Sequence, residues 1–214
     1  MNLTNFLIQR HKEWKDNNFP SEKFLLKSLV DEGQKPKAMI ISCCDSRVDA
    51  NKIFNTKAGE FFMHRNVANL IPPINKNESN CETLSSIEFA LKSLKIPNII
   101  ILGHSGCGGI NYAYKKFSNK INDQNLFLDK WVEIVEPAYI KINELNLNNE
   151  DEEIHLLEKT SIINSIYNLE NYPFVSELIL KNKLNIYGLW FEIVSGNIEC
   201  LNRKNNKFEK LNYL

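Results

Sequence analysis

Neither sign of charge dominates this chain. Twenty-six lysines and arginines are matched by twenty-six aspartates and glutamates, so no electrostatic surplus points to nucleic acid or to an anionic membrane. No apolar run approaches the roughly 18 residues of a membrane-crossing helix. The opening stretch MNLTNFLIQRHKEWKDNN has only a short apolar core and carries early acids, unlike a secretory signal or a transit peptide. Cysteines are few and odd in number: Cys43, Cys44, Cys81, Cys107 and Cys200. Their wide scatter argues against a disulfide framework and leaves reduced thiols for packing, metal or catalysis. Internal repeats and low-complexity tracts are also missing. These absences lead to the expectation of a soluble cytoplasmic protein, and hydrophobic residues at 43% suffice for a core.

What is present alternates between two periodicities. Residues 3 to 30 place Phe6, Leu7, Trp14, Phe24, Leu25 and Leu29 at helical intervals, which predicts an N-terminal arm of two short helices split at Pro20. AMIIS and EFFMHRN read as strands, CETLSSIEFALKSLK as a helix, and NIIIL as a strand covered on both faces. Residues 110 to 116 continue as a helix, and 118 to 160 are polar and mostly helical. Trp131, Ile134, Val135 and Ile142 face inward there. SIINSIYNL and FVSELILKN are further helices, LNIYGLWFEI a strand, and IECL a returning strand after a turn at Ser195–Asn197. Strands alternating with helices predict one α/β domain over residues 1–214, with a mostly parallel central sheet flanked by helices. Ligands of such sheets gather at the carboxyl ends of the strands.

Two dense motifs sit at such ends. In ISCCDSR, an extended backbone from Ser42 to Arg47 would put Cys43, Asp45 and Arg47 on one face and Cys44 and Ser46 on the other. Only the first face combines a metal-binding thiol, a carboxylate and a guanidinium, so Cys43 is the chemical cysteine and Cys44 a small buried hydrophobe. In GHSGCGG, His104 and Cys107 have a spacing that grips one ion. With Cys43 they make a Cys₂His set for zinc. Three protein ligands leave a fourth position for water, as in catalytic rather than structural zinc sites. Glycines 103, 106, 108 and 109 let the backbone turn tightly around the metal. The loop lacks the Lys-Ser/Thr of a phosphate-binding P-loop. His11 and His155 read as solvated, Cys81 and Cys200 as core residues, and Lys115, Lys116 and the acids 150 to 153 as solvated faces.

CCDSR, HSGC, HRNVANLIPP, SSIEFALKSLKIPNIIILGHSGCGG and NYPFVSELILKNKLNIYGLWFEI together resemble the β-class carbonic anhydrases, from about residue 20 to the C-terminus. The resemblance implies one Zn²⁺ per chain on Cys43, His104 and Cys107, with Asp45 and Arg47 as a catalytic dyad orienting a zinc-bound hydroxide that attacks carbon dioxide. It implies Gln34 as a substrate-orienting residue supplied from a neighbouring subunit. Phe62, Val67 and Phe89 correspond to an apolar pocket for carbon dioxide, and Gly108 to a backbone amide lining it. Phe89 stands where many relatives have tyrosine. An obligate homodimer or higher homo-oligomer is implied, and residues 1–30 are expected to pack on the partner subunit.

Two other functions fit parts of the pattern: hydrolysis of carbon disulfide or carbonyl sulfide on the same scaffold, and a zinc-stabilised binding protein. The second requires a fourth protein ligand and has no use for Asp45, Arg47 and Gln34 together. The resemblance also locates a second, inhibitory bicarbonate pocket known in part of the family. Here Arg65 retains its arginine, but Ile40 and Phe191 replace the tryptophan and tyrosine. Both replacements remove hydrogen-bond donors, so the expectation is that this pocket is lost and Arg65 is structural.

Overall fold

The computed structural model describes residues 2–74, 81–122 and 124–211. The chain opens with α1 (Leu3–Asn17) and α2 (Phe19–Glu32), and the break falls at Asn18, two residues before the proline. Pro20 instead occupies the first turn of α2, where its missing N–H has no intrahelical partner to lose. Neither helix buries a residue in its own chain.

The β-branched runs form the sheet. β1 (Ala38–Cys43), β2 (Phe61–Asn66), β3 (Asn98–His104) and β4 (Asn185–Phe191) are parallel; β5 (Ile198–Asn202) and β6 (Lys207–Lys210) are antiparallel. The order is β2-β1-β3-β4-β5-β6, which puts β1 and β3 side by side with Met39 opposite Ile99 and Ser42 opposite Leu102. Strand β6, whose KFEK sequence has a single large apolar residue, carries too little periodicity to be seen in the sequence.

Side chains alternate across the sheet. Met39, Ile41, Ile99 and Ile101 join one apolar cluster with residues of α4 (Glu82–Glu88), α8 (Glu150–Glu170) and α9 (Pro173–Leu180). Ile40, Leu102 and Leu189 face the other way, against Val48, against Ala50 of the short α3 (Ala50–Ile53) and against Phe54 and Phe191. A third cluster joins Cys43 and Cys107 to α5 (Gly108–Phe117), α6 (Leu126–Val132) and α7 (Glu136–Asn143). Val135 and Ile142 are buried as expected, while Trp131 and Ile134 are only partly so. SIINSIYNL is not a separate helix: it is the second half of the 21-residue α8, capped at its start by Asn149.

Helix α8 packs against the sheet at two strand residues that have no side chain. A Cβ on Gly103 would stand 2.6 Å from Ile162 Cδ1, and one on Gly188 would stand 3.0 Å from both Ile162 Cγ2 and Ile166 Cδ1. Gly103 therefore serves helix packing rather than a turn. Among the described residues, no helix is long and apolar enough to cross a membrane.

His64 on β2 shares a 3.0 Å hydrogen bond with Thr83 of α4, and burial holds its ring below the ordinary histidine value of 6.5. The unfolded chain then binds more protons than the folded one just below that pH, so this residue's contribution to stability is complete above it and is lost as pH falls through the lowered value. His64→Gln is expected to lose less stability than the parent between pH 7.5 and 5.5, read as the shift in urea midpoint; an identical shift in both chains contradicts the assignment.

Candidate metal centre

β1 and β3 end together, and their last residues are Cys43 and His104. From His104 the chain turns through Gly106, at φ +65°, into α5. That left-handed conformation suits glycine, and it brings Cys107 back towards Cys43. The ligand atoms of Cys43, His104 and Cys107 all lie within 4.8 Å of one another, and all three residues are buried.

The donors are set for a cation. His104 Nδ1 is 2.9 Å from the Ser105 carbonyl, so Nδ1 carries the proton and the Nε2 lone pair faces the sulfurs. Among the described residues Nε2 is buried with no hydrogen-bond partner, a costly arrangement unless a ligand completes it. The two sulfurs are 3.8 Å apart. A hydrogen bond from Cys107 holds the Cys43 thiol below its ordinary range, and that same contact together with burial pushes Cys107 up. One proton is thus shared between two sulfurs, and both ionise together only when a positive charge joins them. Two thiolates and an imidazole suit Zn²⁺. The residues fit the metal.

Beyond Cys43 the backbone departs from the extended form expected of it. The Asp45 carbonyl accepts from Val48 N at 3.0 Å, and Asp45 Oδ1 accepts from Arg47 N at 2.9 Å, closing a turn. The turn places the Arg47 side chain back on Asp45, with Nε on Oδ1 at 2.9 Å and Nη2 on Oδ2 at 2.7 Å. Asp45, Arg47 and Cys43 do gather, but by a tight turn and not by strand alternation. Cys44, expected to be buried, is exposed, because the strand stops one residue before it. The Arg47 guanidinium holds the Asp45 carboxyl well below the usual carboxylate range, and Oδ2 lies 4.0 Å from His104 Nε2. An ionised carboxylate therefore borders the three ligand atoms.

Arg65 donates Nε to the Cys43 carbonyl at 2.9 Å and Nη2 to the carbonyls of Asp45 and Val48 at 2.7 and 2.9 Å. These three bonds pin the loop, and Ile40 and Phe191 pack in one apolar cluster.

The remaining expected residues divide. The Phe62 and Phe89 rings are 5.9 Å apart. Val67 packs where a Cβ on Gly109 would stand, 2.7 Å from its Cγ1, and Gly108 opens α5 directly after Cys107. Gln34 is exposed and precedes β1, whose six residues carry the chain about 17 Å to Cys43. The structure thus groups the ligands with Asp45 and Arg47, and leaves Gln34 across the strand from Cys43.

Sequence reasoning missed Glu158. It is almost fully buried on α8, accepting from Cys107 N at 3.1 Å and from Trp190 Nε1 at 3.2 Å. Burial pushes its carboxyl up to about 7. The signal was there: residues 158, 161, 162, 165, 166 and 169 form the buried stripe of α8, and an acid on such a stripe needs a partner. His155, expected to be solvated, is half-covered, with its ring edge-on to Trp190 at 4.5 Å.

The family model described as carbonic anhydrase matches residues 38–198. Beta carbonic anhydrase 3 of Arabidopsis thaliana is 35% identical over 188 residues, covering 87% of this chain and 72% of the relative. A carbonic anhydrase of Helicobacter pylori strain J99 is 30% identical over 201 residues, covering 93% and 90%. Among solved structures, the β-carbonic anhydrase CcaA superposes with a TM-score of 0.89 at 26% identity, covering 98% of this chain and 92% of its own. One of two β-carbonic anhydrases from Sordaria macrospora, described as tetrameric, gives 0.80 at 27% identity, covering 94% and 98%.

Removing the Arg65 donors leaves three backbone carbonyls of the 43–48 loop without them. Arg65→Met is therefore expected to destabilise the chain by about 1–3 kcal/mol, whereas Cys44→Ser, at an exposed site, should stay within about 0.5 kcal/mol of the parent. Urea unfolding of both variants decides it; the reverse order of effects would show that the loop is not held as described.

Proposed function

This chain belongs to the β-class carbonic anhydrases, and on that premise we propose that it catalyses the reversible hydration of carbon dioxide to bicarbonate and a proton at one zinc ion held by Cys43, His104 and Cys107. The observation that carries the reading is the buried Cys₂His triad with an unpartnered His104 Nε2, bordered at 4.0 Å by a carboxylate kept ionised by Arg47. A triad of protein ligands, not four, is what a reaction needs and a structural site does not. When bound, the zinc supplies the Lewis acidity that makes water a nucleophile near neutral pH.

The chain's own residues do the rest. Asp45 Oδ2 accepts the nucleophile's hydrogen and so fixes the direction of its lone pair. Arg47 keeps Asp45 ionised and in place through two charge-assisted bonds. Phe62, Val67 and Phe89 offer an apolar surface to a small uncharged substrate. The Gly108 N–H, in the first turn of α5 where it has no intrahelical acceptor, and the Gln34 amide steer its oxygens.

Gln34 does this from a second subunit, since its own strand carries it away from the metal end. Association of at least two chains is supported by the arm. Leu3, Phe6, Leu7, Ile8, Phe24 and Val30 are all exposed, on helices with no fully buried residue in their own chain. We read residues 1–214 as one domain whose first 30 residues pack on the partner. Arg65 serves the loop, and no second bicarbonate pocket accompanies it. Five free cysteines, two of them metal ligands, suit a reducing compartment such as the cytoplasm.

Stopped-flow hydration of carbon dioxide, with zinc analysis on the same sample, tests the function. Cys43→Ser and Cys107→Ser are expected to lose both metal and activity, and Cys44→Ser to keep both. Zinc retained without hydration, or activity confined to carbonyl sulfide or carbon disulfide, would refute it.

The shared site has its own test. Gln34→Ala and Cys43→Ser chains, each weak or inactive alone, should regain activity when mixed under conditions where subunits exchange, because some heterodimers hold one intact site. Proven exchange without recovery would place Gln34 outside the partner's site.

A further inference from the structure

The peptide unit between Gly106 and Cys107 is held at one end by a guanidinium and at the other by a buried carboxyl group. Its carbonyl accepts from Arg47 Nη2 at 2.8 Å, and its N–H donates to Glu158 Oε1 at 3.1 Å. Arg47 is the residue that grips Asp45, and Cys107 carries one of the three ligand atoms. A peptide is a rigid plane, so this one plane joins the carboxylate–guanidinium pair to the metal ligand. Its tilt is free to be set from outside, because Gly106 at φ +65° opposes rotation least.

Glu158 is built to set that tilt. Its second oxygen is fixed by Trp190 Nε1 at 3.2 Å, and it stands one helical turn before Ile162, the residue that Gly103 and Gly188 admit against the sheet. The side chain is 3% exposed, the Cys107 ligand 1%, so solvent does not replace the bond if it is removed. We propose that Glu158 is a positioning residue of the enzyme: through the Gly106–Cys107 peptide it aligns the Cys107 sulfur with its co-ligands and Arg47 with Asp45. Without an acceptor at position 158, the buried N–H turns towards another partner, and because the plane is rigid the carbonyl at its far end moves off Arg47. Both the ligand and the dyad are then displaced by one change. The inference rests on the zinc reading above.

The test isolates that one acceptor. In Glu158→Gln alone, a single amide oxygen faces two donors, so the comparison is made in a Trp190→Phe chain, where the indole donor is gone. There Glu158→Gln keeps an oxygen for Cys107 N–H, and Glu158→Met, of similar size and equally neutral, does not. Zinc affinity is measured by competition with a chromogenic chelator, and kcat and KM by stopped-flow hydration, all on the full-length chain. The methionine variant is expected to bind zinc about 10–100-fold more weakly than the glutamine variant and to lose kcat by a similar factor, with KM within about twofold. Rescue by glutamine separates positioning from general support of the core. Zinc affinity and kcat equal in the two variants to within about twofold would overturn the proposal. Should the methionine variant not fold, Glu158→Asp in the Trp190→Phe chain decides: its oxygens fall a methylene short, so weakened zinc binding supports the role and affinity equal to the glutamine variant refutes it. A parent chain that takes up no zinc refutes the zinc reading and this proposal with it.

Discussion

Parallel pairing of β1 with β3 is the constraint from which the site follows. The ladder runs from Met39 opposite Ile99 to Ser42 opposite Leu102, so the two strands reach their carboxyl ends side by side. Cys43 and His104 are neighbours because of that register alone, although 61 positions separate them in the chain. A slip of one residue would send the Cys43 side chain to the other face of the sheet. The register is held by burial on both faces: Met39, Ile41, Ile99 and Ile101 are fully buried in one cluster and Ile40 and Leu102 in the opposite one, and a slip would exchange side chains between two differently shaped cores. The chemistry of the site thus rests on the packing of apolar side chains that take no part in it.

Charge around the site is arranged in an alternating order. Acid, base, backbone amide and acid follow one another from Asp45 through Arg47 and the Gly106–Cys107 peptide to Glu158. Each group meets its opposite, which is how a buried carboxylate and two thiols coexist in a region with little water. The same alternation explains why the Asp45 carboxyl is held down and the Glu158 carboxyl pushed up. Asp45 faces a guanidinium at two oxygens, whereas burial outweighs the N–H donors and the neighbouring histidine rings that lower Glu158.

Much of this was legible in the residues. The strands were plain because β-branched runs of five or six residues have few other uses, and the gathering of Cys43, His104 and Cys107 because cysteine and histidine at two strand ends have a chemistry in common. The failures share one cause, which is that tertiary contact overrides local pattern. Cys44 is exposed and Arg47 reaches Asp45 by a turn, since the strand yields at Cys43 to side-chain bonds from Asp45 and Arg65. Gly103 looks like a loop glycine beside Gly106, yet its role appears only once Ile162, some sixty residues on, is placed against it. Glu158 lies among acids and lysines in the sequence, and only helical phase separates it from its solvated neighbours.

The arm, α1 and α2, is held differently from everything that follows it. Helices of 15 and 14 residues with no fully buried residue in their own chain have local hydrogen bonds, a few exposed ion pairs, ring contacts at Trp14 and the half-buried leucines of α2, Leu29 among them against Gly59. At that length an isolated helix sits near the balance point between helix and coil. If a neighbouring chain covers the arm, its helical content is a property of the assembly and not of the single molecule. Dilution would then melt the first thirty residues before it touched the sheet. Fraying of the arm would report dissociation directly, with the metal centre still folded behind it.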